Sequence, residues 1–136
     1  LLDNNVFVAA IKSPRKEPGS LRLILEIIRD EDMTLVGNKF LLEEMARYAE
    51  VFGSPTAMLL LGALVSKMSV IDVEERYIRI CKEFMGTADP VDVVHAATCL
   101  QGDAVLVSND KHFDRIRDEG VITVWDITRA MKIMLR

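Results

Sequence analysis

Four carboxylates of this chain stand where an ordinary surface does not require them: Asp3, Glu44, Asp92 and Asp110. Asp3 follows the apolar pair Leu1–Leu2, and Asp110 follows the apolar run Ala104–Val107 and the polar Ser108–Asn109. In open parallel sheets, ligands bind outside the carboxyl ends of the strands, so acids placed just after two strands stand where chemistry is expected. Glu44 interrupts a helical pattern. At ~100° per residue, Glu43, Arg47 and Glu50 share a polar arc, while Glu44 falls between Phe40 and Val51 on one side and Leu41 and Tyr48 on the other. A carboxylate in an apolar arc costs desolvation unless it is paired or faces a cation. Reaching out to solvent, or pairing with Arg47 at i+3, is the alternative for Glu44. Asp92 lies in Pro90–Gln101, whose Val91, Val93, Val94, Ala96, Ala97, Cys99 and Leu100 surround the helical wheel and predict a buried helix. An acid in the first turn complements the helix dipole. However, Asp89 as N-cap, with Pro90 at the first helical position, already fills the capping role. Asp92 is therefore a spare carboxylate held inside the protein, for which a bound metal is the usual reason.

Other chemistries find little support. Asp92, His95 and Cys99 follow one another at helical spacing, but no fourth zinc ligand is placed. A buried His95 with satisfied hydrogen bonds is the simpler reading. There is no Gly-x-Gly-x-x-Gly, no P-loop and no Gly-x-Ser-x-Gly elbow. No histidine is placed to activate Ser108, and a phosphatase of the haloacid-dehalogenase type would want an acid where Asn5 stands.

The elements that must position these acids alternate along the chain. Short Val-, Ile- and Leu-rich runs ending in small polar or acidic residues predict strands at Leu1–Leu2, Thr34–Val36, Val70–Val73, Ala104–Val107 and Val121–Val124. Helical spacing predicts helices at Leu21–Arg29, Lys39–Phe52, Thr56–Lys67, Glu74–Met85, Pro90–Gln101, Lys111–Asp118 and Thr128–Leu135. This alternation predicts an α/β fold, a mostly parallel sheet covered by helices on both sides. The 136 residues, half of them hydrophobic and 28% charged, suit one domain spanning 1–136 with a real core. Two cysteines, Cys81 and Cys99, form no disulfide framework and fit a reducing cytoplasm. The apolar stretch Pro55–Val65 is too short to span a bilayer, and no signal peptide opens the chain; no membrane association is expected. Thr56–Lys67 is apolar nearly all round, which fits either a helix fully buried within the monomer or one whose outer face, with Leu60 or Leu64 as outward leucines, meets a second subunit or an antitoxin segment.

Three patches carry a family resemblance: Asp3-Asn4-Asn5-Val6-Phe7, Leu41-Leu42-Glu43-Glu44-Met45, and a block from Asp89-Pro90-Val91-Asp92-Val93-Val94-His95-Ala96-Ala97 to Ser108-Asn109-Asp110-Lys111-His112-Phe113. In their order and separation the sequence resembles the PIN-domain family of nucleases, including the VapC-type toxins. The resemblance implies a three-layer α/β/α sandwich whose acids meet at the strand ends and bind Mg²⁺ or Mn²⁺ for hydrolysis of RNA. It implies that Asp3, Glu44, Asp92 and Asp110 are the catalytic, metal-binding acids, that Asn5 orients Asp3, and that Asp89 and Asp114 are extra ligands. It also implies an antitoxin partner and a homodimer. Asn4 stands where Thr is common, and only Leu1 and Leu2 precede Asp3, which makes a short first strand. Gly53 to Met85 carries no family motif.

The net charge of −4 denies the chain any bulk attraction for a polyanion, so RNA binding needs local basic patches or bound cations. Lys12, Arg15 and Lys16, expected in a loop after the first strand, and Lys111, His112, Arg115 and Arg117 after Asp110 are the candidates to flank the strand-end crevice. Glu17, Asp114, Asp118 and Glu119 interleave with them. Two alternatives compete: a PIN-like RNA- or protein-binding module without cleavage, and a receiver-like phosphorylation domain. The latter wants an acid pair after the first strand, where Asn4 and Asn5 follow Asp3.

Overall fold

Short parallel strands and capped helices alternate through the computed structural model, which describes residues 1–16 and 18–135. Glu17 lies outside the described residues. Leu2 forms a parallel bridge to Val107, with the Asp3 amide donating to the Val107 carbonyl at 3.0 Å. Helix α1 (Asn4–Lys12) starts at once, capped by Asp3. Helix α2 (Gly19–Arg29) leads to strand β1 (Leu35–Gly37), and α3 (Lys39–Phe52) begins behind the N-cap Asn38, whose side chain accepts from the Leu41 amide. Gly53, with φ +59, ends α3 in the left-handed conformation that glycine adopts without a Cβ penalty. Helix α4 (Pro55–Lys67), capped by Ser54, runs directly into β2 (Met68–Val70). Helices α5 (Glu75–Met85) and α6 (Pro90–Gln101) follow, then β3 (Leu106–Val107), a 3₁₀ turn at Lys111–Phe113, α7 (Asp114–Asp118), β4 (Val124–Trp125) and α8 (Ile127–Met134).

The ladders are parallel. β1 pairs with β2 in the register Leu35↔Met68 to Gly37↔Val70, and β3 pairs with β4 through Leu106↔Val124 and Val107↔Trp125. Helix α1 packs on α2 and α3, α2 packs on α8, and α5 packs on α6 and α7. The core they enclose includes Phe7, Leu23, Ile24, Leu41, Met45, Leu64, Leu106, Phe113 and Ile116. This is the expected α/β fold with parallel strands, richer in helix than the sequence suggests and with its central strands in two two-stranded ladders. Burying such side chains stabilises each by about 1.5–3 kcal/mol relative to exposure.

Four details depart from the sequence reading. Asn4–Lys12 is a helix, not a loop: Val6, Phe7, Ala10 and Ile11 form a buried stripe at helical spacing, but two asparagines, weak helix formers, open it. The second strand runs over 68–70 instead of 70–73, because its pairing partner β1 sets the register; the Ile71 amide still donates to Gly37 at 2.8 Å. The single helix expected over 111–118 is split into the 3₁₀ turn and α7. Finally, Leu60 and Leu64 of α4 are core residues, 5% and 0% exposed, whereas Leu59 is 75% exposed. The apolar residues that α4 leaves exposed are Met58, Leu59 and Val65; Val51 and Phe52 at the end of α3 are exposed as well.

Candidate active site

Four elements deliver one acid each to a single pocket. Asp3 sits at the end of the first strand segment, Glu44 on α3, Asp92 in the first turn of α6 and Asp110 after β3; with Asn4, Asn5, Val8 and Tyr48 they line a cavity of about 290 Å³. Glu43, the neighbour of Glu44, faces solvent.

The acids are held by specific partners. Asp3 is buried; its Oδ1 accepts from the Asn4 amide at 2.8 Å and its Oδ2 from the Ser108 hydroxyl at 2.7 Å. The same Ser108 Oγ accepts from the Asp110 amide at 3.0 Å and from Asn5 Nδ2 at 3.3 Å. Asn5 thus reaches Asp3 through Ser108. Asp110 Oδ1 takes the His112 amide at 2.9 Å, which opens the 3₁₀ turn. Glu44 Oε1 lies 3.0 Å from His95 Nε2; its partner is this buried imidazole and not Arg47, which faces solvent. His95 Nδ1 lies 3.0 Å from Asn38 Nδ2.

Electrostatics match this crowding. Burial pushes the Asp3 carboxyl above its usual range, with the Ser108 hydrogen bond opposing it. Burial, and then the charges of Asp3 and Asp110, push Asp92 up as well. His112 Nδ1 stands 3.4 Å from Asp92 Oδ2 and 3.2 Å from Asp110 Oδ1. The three residues offer ligand atoms that all lie within 4.8 Å of one another. Asn4 adds a buried Oδ1 with no hydrogen-bond partner among the described residues. A set of hard carboxylate oxygens that repel one another fits a divalent cation.

The other sequence candidates fall outside this pocket. Asp89 caps α6, accepting from the Val91 amide at 2.8 Å. Asp114 faces Arg117 at 3.4 Å on α7, and Arg117 also pairs with Asp118 at 3.0 Å. Cys99 forms no metal-sized group with Asp92 and His95 among the described residues, and burial pushes its thiol up to about 11. Lys12 closes α1, about 12 Å along the helix from Asn4, and Arg15 and Lys16 follow in a 3₁₀ turn. They stand at the far end of α1 from the acids. Lys111 and Arg115 instead line a neighbouring groove of about 370 Å³ together with His112, Asp89 and Phe84.

Sequence reasoning left two site residues without a role here and gave a third, His112, a different one. Ser108 lies in the Ser-Asn-Asp run and was visible only as a missing nucleophile. Asn38 has the form of an N-cap, which it is, while its amide nitrogen reaches across to α6. His112, placed among basic residues by its neighbours, bridges two of the acids.

Acids from two strand ends and two helices meet in one pocket of a parallel-stranded α/β fold, and the chain belongs to the PIN domain family, whose model matches residues 1–119. The solved structure of VapBC-1 from nontypeable Haemophilus influenzae is similar in fold. It is 22% identical, with a TM-score of 0.62, over 93% of this chain and 96% of that chain. No curated protein matches the sequence.

Proposed function

We propose that this chain is a single-domain, Mg²⁺- or Mn²⁺-dependent endoribonuclease and the toxin half of a toxin–antitoxin pair, acting in the cytoplasm. The observation that carries the reading is the convergence of Asp3, Glu44, Asp92 and Asp110 on one pocket from four separate elements. A non-cleaving scaffold has no use for mutually repelling carboxylates, two of which are shifted towards protonation by their burial. Family membership supports nuclease chemistry. The resemblance to VapC-type toxins, together with the fold shared with VapBC-1, supports an antitoxin partner.

In this reading Asp3, Asp92 and Asp110 hold the cation, with Glu44 facing them and Asn5, through Ser108, fixing Asp3. Bound Mg²⁺ or Mn²⁺ supplies Lewis-acid polarisation of the phosphoryl oxygen and a water of lowered pKa. Lys111 and Arg115, in the adjoining groove, hold the flanking phosphates of a single RNA strand. The exposed face of Met58, Leu59 and Val65 pairs two copies of the chain.

Incubating the protein with assorted RNAs, with and without Mn²⁺, tests the activity. Metal-dependent cleavage that Asp92→Asn abolishes supports the nuclease. Binding of RNA without cleavage in any metal favours the binding-module alternative instead.

A further inference from the structure

We propose that Asn38 and His95 are positioning residues that aim the Glu44 carboxylate into the acid pocket through one fixed imidazole tautomer. The inference rests on the reading of that pocket as a divalent-metal centre, and its starting point is a donor that admits no choice. The backbone N–H of Leu41 can only donate, so the Asn38 atom 2.9 Å away is the carbonyl Oδ1. The amide nitrogen must then be the group facing α6. Its two hydrogens meet two acceptors, Thr98 Oγ1 at 2.9 Å and His95 Nδ1 at 3.0 Å. Thr98 is free to accept because its own hydrogen goes to the Val94 carbonyl at 2.7 Å.

His95 Nδ1 is therefore an acceptor, and the hydrogen of the neutral ring sits on Nε2. That hydrogen points to Glu44 Oε1 at 3.0 Å. Asn38, His95 and Thr98 are all about as buried as side chains become, so no water competes for the bonds among these three, while Glu44 stands at the pocket's edge, 27% exposed. The chain of donors begins at the start of α3, crosses to α6 and returns to Glu44, less than two turns along α3. It ends on a carboxylate that lines the pocket, not on another core group.

The choice of imidazole has a chemical consequence. A lysine or arginine in this position would neutralise Glu44 and compete with a cation for it. A neutral N–H orients the carboxylate and leaves its charge in place, with Oε1 committed and Oε2 left for the ligand. Groups that hold metal-site side chains in this way commonly change metal affinity 10–100-fold when removed.

Two measurements test the inference. In the metal-free protein, ¹⁵N spectra of the His95 ring should show hydrogen on Nε2 and a bare Nδ1; the opposite tautomer overturns it. Calorimetric titration with Mn²⁺ should then show at least about tenfold weaker binding for His95→Leu. His95→Gln, whose amide can still donate to Glu44, should stay close to the parent. In a Glu44→Gln background, His95→Leu should have little further effect. Melting each variant without metal separates misfolding from lost orientation, and a folded His95→Leu that binds Mn²⁺ like the parent overturns the inference. So does a Gln variant as impaired as the Leu variant, or an equal loss in the Glu44→Gln background. A parent protein that binds no Mn²⁺ removes the metal-centre reading itself. By contrast, binding that Asp92→Asn abolishes and His95→Leu leaves intact removes only the positioning role.

Discussion

The Ser108 hydroxyl donates to Asp3 Oδ2 across 2.7 Å and joins residues 105 positions apart in the chain. Because the same oxygen accepts from the Asp110 amide, one small side chain sets the spacing between two strand-end acids. Ser108→Ala should lower the stability of the metal-free protein by about 2 kcal/mol, since it removes a buried bond to a charged group. Urea unfolding checks this, and Ser108→Thr should recover most of the loss.

The acid pocket also predicts a pH signature. Asp3 and Asp92 are both shifted upward from 3.8, so at these sites the folded state holds protons more tightly than the unfolded chain. Their ionisation opposes folding, in full above the raised folded values and not at all below the ordinary one. Asp92→Asn should therefore melt higher than the parent at neutral pH without metal, and the gap should close as pH falls through that window. Thermal unfolding in chelator across pH measures the gap; a variant that melts lower at neutral pH would assign Asp92 a structural role.

Added cation should reverse the order. A ligand of the folded state alone stabilises it by about 2.7 kcal/mol at a hundredfold excess over its Kd. Mn²⁺ should raise the melting temperature of the parent and raise that of Asp92→Asn much less. Equal increments in the two proteins would place the cation elsewhere.

Salt dependence distinguishes the two basic groups. Each lost phosphate contact with a single strand reduces the slope of log K against log salt by about 0.7. Lys111→Ala with Arg115→Ala should reduce it by about twice that in filter binding to an uncleaved RNA. Lys12→Ala with Lys16→Ala, at the far end of α1, should leave the slope nearly unchanged.

Assembly is tested on the two faces of α4. Leu59→Glu should convert a dimer to a folded monomer in sedimentation, because Leu59 is exposed beside Met58 and Val65. Leu64→Glu should instead unfold the protein, because it buries an unpaired charge in the core.

The alternation of strands and helices, the capping of α6 by Asp89 and Pro90, and the oddity of Glu44 and Asp92 are all legible along the chain. Each of these is a local property: a periodicity, a cap, or a charge on an apolar arc. The sequence also carried the family, because the acidic patches keep their order along the chain. Which side chains meet depends on how the elements pack. Ser108 and Asp3, Asn38 and His95, and His95 and Glu44 are far apart in sequence, and nothing in the spacing of either member names the other. The outward face of α4 was equally hidden, since a helix apolar on all sides has no pattern to say which leucines face the core. Likewise, α1 was masked by its two leading asparagines and emerges through its packing on α2 and α3. Spacing within one element can be read along the chain. Convergence between elements follows from tertiary packing: the Leu2–Val107 pairing and Ser108 bring Asp3 to Asp110, and the packing of α3 and α6 adds Glu44 and Asp92.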